Sequence, residues 1–280
     1  MMGKNENIRP SAIAGTWYSA DAKELQREIS MYLEQADIPP LHGKVLGLIS
    51  PHAGYRYSGP TAGYAYKMVQ SSHFDIVALF SPFHAYTSAK LLSSAHTHYQ
   101  TPLGEVPVAH GLLEGFEELI AEQGLELEYI SYDQEHSLEI QLPFLQTALQ
   151  GSFELFPVMI RTHDMREIDN IAQAALDIVK EKNVLWVAST DLSHFYNQKT
   201  AAMLDEEMLT RIGKFSPEMV LDAEKEGKAF ACGAGAVAAV LSATRKLGAS
   251  TVRVLHYSTS AEGTGDTSSV VGYGAVAIEV

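Results

Sequence analysis

The sequence predicts an α/β fold, a mostly parallel, doubly wound sheet flanked by helices. Three observations carry this reading. Four apolar runs, at 44–50, 75–81, 153–160 and 183–189, are continuous rather than alternating, as expected of strands buried on both faces. Amphipathic stretches of helical period alternate with them, the order of βαβ units. Three of the runs lead into histidine-bearing turns, at the carboxyl ends where open α/β sheets bind ligands.

In chain order, an amphipathic helix is expected near 21–35. The strand at 44–50 then runs into Pro51-His52-Ala53-Gly54-Tyr55, and a helix over roughly 60–70 leads to the strand at 75–81 and Pro82-Phe83-His84. Residues 88–99 and 105–109 read as a β-ribbon, followed by helices near 111–123 and 136–149. The strand at 153–160 precedes a helix over 166–182, and the strand at 183–189 ends in Thr190-Asp191-Leu192-Ser193-His194. Helices near 201–212, 216–226 and 234–247 come before strands at 251–258 and 270–279. The polar stretch between these last strands, 259–269, is long for a hairpin loop and reads as a candidate lid. With no linker, charge block or internal repeat, residues 1–280 read as a single domain.

Composition narrows the function classes. The 280-residue chain is 46% hydrophobic, enough for a substantial core. Its formal charge of −14 opposes binding to nucleic acid or anionic lipid, both of which need basic surface. The expected partner is a small molecule or a peptide. The start of the chain lacks the apolar stretch of a signal peptide, and no apolar run is long enough to span a bilayer, so a cytoplasmic location is expected. Cys232 is the single cysteine, which excludes an internal disulfide and fits a reducing compartment.

His52 and His84, each just past a buried strand, suggest two ligands of a metal site, and the small residues Ala53 and Gly54 allow close approach. The alternative for each is a turn histidine bonded to a carbonyl. His194 stands past a third strand, and Asp191 three residues before it offers an acid/base partner or an orienting carboxylate. Asp191 also has the side chain of a helix cap. Cys232, ahead of a predicted helix, is either a third metal ligand or a small buried hydrophobe. His136, in the helix-opening segment 134–139, is a catalytic or positioning candidate. Gly233, Gly235 and Ala238 match Gly-x-Gly-x-x-Ala, but no buried strand precedes them and no acidic residue follows at the spacing a dinucleotide site needs.

Taken together, Ala14-Gly15-Thr16-Trp17-Tyr18, the turns at His52 and His84, Glu135-His136-Ser137-Leu138-Glu139, the segment 189–194, Cys232-Gly233 and Asp266-Thr267-Ser268-Ser269-Val270 resemble the Memo family nearly end to end. The resemblance implies a fold like that of class III extradiol ring-cleaving dioxygenases, which are non-haem iron enzymes. By motif it places His52, His84 and Cys232 at the metal. It also places His194 at an acid/base position and Asp191 and Trp17 in the same pocket; His136 is taken with His194 and Asp191 as catalytic, and Glu139 with Trp17 as substrate-binding. A thiolate in place of a carboxylate is softer and accepts copper(I) or zinc as readily as iron(II).

The expectation is therefore a metal-binding protein with a dioxygenase-like site carrying an iron or copper ion, acting as a redox enzyme. An adaptor that binds peptide in the same pocket without turnover is one alternative. A zinc hydrolase is the other.

Overall fold

The computed structural model describes residues 7–38, 40 and 43–280; residues 1–6, the first part of the segment read for targeting, lie outside them. The elements in order are β1 (Ile8–Arg9), α1 (Ala22–Gln35), β2 (Val45–Ser50), α2 (Tyr55–Lys67), β3 (Ile76–Ser81), β4 (Leu91–Ser94), β5 (His98–Thr101) and β6 (Gly104–Pro107). Next come α3 (His110–Glu122), β7 (Leu127–Ile130), a 3₁₀ turn (Glu139–Gln141), α4 (Leu142–Ala148), β8 (Glu154–Ile160), α5 (Met165–Val179), β9 (Val184–Ser189) and β10 (His194–Tyr196). The chain closes with α6 (Gln198–Gly213), α7 (Pro217–Lys225), α8 (Ala234–Lys246), β11 (Thr251–Thr259), α9 (Ala261–Thr264) and β12 (Val270–Glu279). Among these residues no helix is long and apolar enough to cross a membrane.

The large sheet runs β10-β12-β2-β9-β3-β8-β4-β7, with β11 paired to β12. Its centre, β2-β9-β3-β8, is wholly parallel, and every residue of β2, β3 and β9 is buried, as their continuous apolar runs predict. Helices α1, α2 and α4 pack on one another on one side of the sheet, and α3, α5, α7 and α8 on the other. The predicted doubly wound α/β class is the observed one. A small second sheet, β1-β5-β6, ties the start of the chain to the ribbon at 98–107.

Two local departures from the sequence reading matter for the site. The segment 88–99 does not form one ribbon strand: β4 joins the large sheet between β8 and β7, leaving β5 to pair with β6. The helix expected from residue 136 is instead a loop, then a 3₁₀ turn and a short helix, because the Asp133 and Glu135 carboxylates take the amides of Glu135 and Ser137 and the Ser137 hydroxyl bonds the Pro82 carbonyl.

Helix α1 starts where Asp21 caps the amides of Lys23 and Glu24, and it buries Leu25, Ile29, Tyr32 and Leu33 on one stripe. It crosses α2 closely at Gly63, where a Cβ would stand 2.6 Å from the Tyr32 carbonyl oxygen. Alanine for glycine inside a helix ordinarily stabilises by about 0.5–1 kcal/mol. Gly63→Ala is expected to do the opposite, lowering stability by about 1–3 kcal/mol through overpacking against backbone, as read from the urea midpoint.

Candidate metal centre

The carboxyl ends of β2, β9 and β3 lie side by side, with Ser50 in register with Ser189. His52 and His84 therefore do not stand on adjacent strands, since β9 runs between theirs. Two strand spacings is about 9.5 Å. The rings nonetheless come together, with centroids 5.3 Å apart, because both stand on loops beyond the strand ends, not on the strands themselves. His136 completes the group: its ring stacks on His84 at 4.6 Å and meets His52 edge-on at 5.4 Å. One nitrogen from each of these three imidazoles lies within 4.8 Å of the others, a set able to hold a metal ion.

Hydrogen bonding fixes which nitrogen faces inward. The Ser189 hydroxyl has one proton, and it donates that proton to the Ser137 carbonyl at 2.7 Å. The same oxygen accepts from Gln141 Nε2 at 2.8 Å, and Gln141 is oriented by donating to the Pro51 carbonyl and accepting from the Tyr66 hydroxyl. Ser189 Oγ, 3.0 Å from His52 Nδ1, must then accept from it, so His52 carries its proton on Nδ1 and keeps a lone pair on Nε2. His84 is fixed in the same sense, with Nδ1 donating to Glu135 Oε1 at 2.9 Å. Both rings thus present Nε2, in the pattern by which outer carboxylates and hydroxyls orient ligating histidines.

Cys232 lies beside this group. Its Sγ is 3.1 Å from His52 Nε2 and accepts the Asp191 amide at 3.2 Å. The approach depends on Gly233, whose missing Cβ would overlap the Ser189 carbonyl. The three-imidazole set does not include Cys232; the thiol reaches it through His52 alone.

The electrostatics favour neutral nitrogen donors. Burial, with the neighbouring His136 and His84, pushes His52 well below its ordinary value, and burial takes His136 down to about 4. Burial opposes charge on His84 as well, but the hydrogen bond and charge of Glu135 outweigh it and raise the pKa. Glu135 is held below the usual carboxylate range: its burial is outweighed by His84 and the amides of His84 and Ser137. Burial pushes Asp191 up to about 7 although its carboxylate accepts the His52 amide at 2.7 Å. The Cys232 thiol is pushed up by burial and by the charge of Asp191. His194 is half-buried on β10, its pKa lowered by burial and by His84.

Trp17 packs its indole on His136, centroids 4.3 Å apart. Glu139, expected at substrate, is elsewhere employed: it is fully buried, and its oxygens accept from Arg9, Ser11 Oγ, the Ala12 and Ile13 amides and the Tyr18 hydroxyl. It anchors the N-terminal segment that carries Trp17. Arg9 lies in the same cluster, bonded to Asp133, Glu139 and the Glu135 carbonyl. Burial opposes its charge, yet Asp133 and Glu139 hold the guanidinium pKa above its ordinary value.

Four of these residues, Glu135, Ser189, Gln141 and Arg9, were not among the sequence candidates. Glu135 alone had a signal, as the carboxylate directly before His136. Arg9→Met is expected to cost about 3–5 kcal/mol in a denaturant titration, because it strands Glu139 and Asp133 as buried, uncompensated carboxylates.

With this geometry in hand, the comparisons are specific. The family model described as Memo-like protein matches residues 9–277. Relatives described as MEMO1 family proteins include one from Nitrosopumilus maritimus, 33% identical over 274 residues, covering 96% of this chain and 98% of its own length. Another, from Thermotoga neapolitana, is 34% identical over 277 residues, covering 95% of this chain and 98% of its own. The crystal structure of an uncharacterized protein from Escherichia coli K12 shares the fold at 12% identity and a TM-score of 0.52, over 83% of this chain and 99% of that one. The extent of these matches, end to end and above three residues in ten, means that the chain belongs to the Memo family.

Proposed function

We propose that this is a metal-dependent redox protein whose centre is held by His52, His84 and Cys232 and takes iron or copper. The observation that carries the reading is the fixed Nδ1–H form of both histidines, which aims Nε2 of His52 at the thiol 3.1 Å away. Cys232 Sγ and His52 Nε2 are near enough to share an ion, and the thiol closes on His84 Nε2 when all three bind it. When bound, such an ion supplies a Lewis acid and an electron-transfer centre to a substrate lying beside it.

The chain's own residues do the rest. Ser189 and Glu135 hold the two imidazoles in their ligating form. Asp191, its pKa raised to about 7, fixes the His52 backbone by accepting its amide at Oδ1 and exchanges a proton at its other oxygen. His194, half-buried and neutral, accepts a proton from substrate. Trp17, tilted against His136, walls the centre on one side.

A second reading has its own support. His52, His84 and His136 are three imidazoles close enough to share an ion, the donor set of one kind of catalytic zinc site. The third donor decides between the two.

Elemental analysis of anaerobically purified protein is expected to find about one iron or copper per chain, falling at least tenfold in His52→Ala, His84→Ala and Cys232→Ser and little changed in His136→Ala. Stoichiometric zinc that is lost in His136→Ala and kept in Cys232→Ser overturns the redox reading in favour of the hydrolase. Binding of the ion to the metal-free protein is expected to release a proton that Cys232→Ser does not release, measured in weakly buffered solution.

Retention of the ion is also expected to depend on pH. Protonated imidazole cannot ligate, and the His84 pKa is raised above its ordinary 6.5. Affinity therefore suffers a further loss as pH falls through that raised value. Glu135→Gln removes the group that raises it and shifts the loss to lower pH, read by metal content after dialysis at stepped pH.

A further inference from the structure

Beside the three imidazoles, across Trp17, lies a cavity of about 450 Å³. Its apolar wall is aromatic, made by Trp17, Tyr57, Phe195 and Tyr273, and its remaining polar surface comes from hydroxyls such as those of Ser260 and Thr264. Among the described residues no lysine, arginine, histidine or carboxylate lines it. The expected lid over 259–269 is part of this wall, pinned by bonds from the Gln198 amide to the Thr267 carbonyl and from the Ser260 amide to the Val271 carbonyl.

Phe195 is the unexplained residue of this cavity. It has φ +65°, a left-handed backbone that bulky side chains rarely adopt, and it sits where the pairing of β10 with β12 shifts register between His194 and Tyr196. Such a bulge re-aims a side chain. Here the ring is not turned into the core: Phe195 is 76% exposed, and its ring contact is the edge of His194 at 5.6 Å. Strain of this kind persists where the surroundings impose it, and it concentrates at ligand clamps. Core packing does not repay it at this position.

We infer that Phe195 is a specificity-determining clamp, and that the cavity takes a flat, uncharged aromatic ring held between Phe195 and Trp17. Aromatic walls reward a planar ring by offset or edge contact. A cavity lined by hydroxyls but no cation, in a chain of formal charge −14, gives an anion no opposite charge to offset its lost hydration. The inference rests on the proposed function only in treating the ring as part of the substrate presented to the metal centre; its binding requires no metal.

The test is calorimetric titration of chelator-treated, metal-free protein with 2-naphthol, uncharged at pH 7, and with 2-naphthoate, the same ring bearing a carboxylate. One 2-naphthol per chain is expected, bound at least tenfold more tightly than 2-naphthoate. Phe195→Gly is expected to weaken 2-naphthol at least tenfold while leaving Tm unchanged or raised, because glycine accepts the left-handed backbone without strain. Phe195→Tyr is expected to bind within threefold of the parent. His84→Ala is expected to bind 2-naphthol as the parent does even where it loses the ion, so a failed metal site and a failed ring site give different results. Absence of saturable 2-naphthol binding, equal affinity for the two probes, or unchanged affinity in Phe195→Gly overturns the inference. A fall of several degrees in the Tm of Phe195→Gly does so as well, by showing Phe195 to be structural.

Discussion

The arrangement of the centre depends on one buried guanidinium. Arg9 enters a pocket closed to water and finds Asp133, Glu139 and the Glu135 carbonyl already there. Buried charge is costly unless it is paired and its hydrogen bonds are met, so this cluster tolerates few alternative geometries. It fixes two stretches at once: the segment from residue 7 to 18, which carries Trp17, and the segment from 133 to 141, which carries Glu135, His136 and Gln141. The second segment then reaches all three strand ends, through Ser137 to Pro82, through Gln141 to Pro51 and through both residues to Ser189. An ion pair far from the chemistry in sequence thereby sets where the imidazoles stand.

The chemistry itself follows from a count of protons. Ser189 has one to give and gives it to a carbonyl, which leaves His52 no choice of form. Glu135 makes the same demand on His84. Burial adds the third condition by keeping His52 and His136 uncharged. Without such outer partners a neutral imidazole divides between two forms and presents its lone pair on the inner nitrogen only part of the time.

Much of this was legible in the sequence, for a physical reason. A strand buried on both faces must be apolar throughout, so β2, β3, β8 and β9 announce themselves, and with them the turns holding His52, His84, Asp191 and His194. Strand order was less accessible. Placing β9 between β2 and β3 is a matter of long-range packing that leaves no periodic trace, and it makes the two histidines second neighbours. The role of Glu139 was misread because a carboxylate in a motif looks alike whether it faces substrate or a buried arginine. Arg9 itself, in a chain with 20 basic residues, reads as ordinary surface until the fold closes over it.

The position of β9 also governs when the centre comes into being. A chain emerging in order makes β2 and β3 early, yet the strand that belongs between them is more than 100 residues further on, and Cys232 further still. Until β9 threads that gap, His52 lacks Ser189 and Asp191, and the first half of the sheet has no template for its spacing. Contacts so distant along the chain are slow to form, because loop closure is met before they reward it. The side chains of the centre thus come together late, and an ion held there would reinforce a finished fold by mass action instead of organising a nascent one.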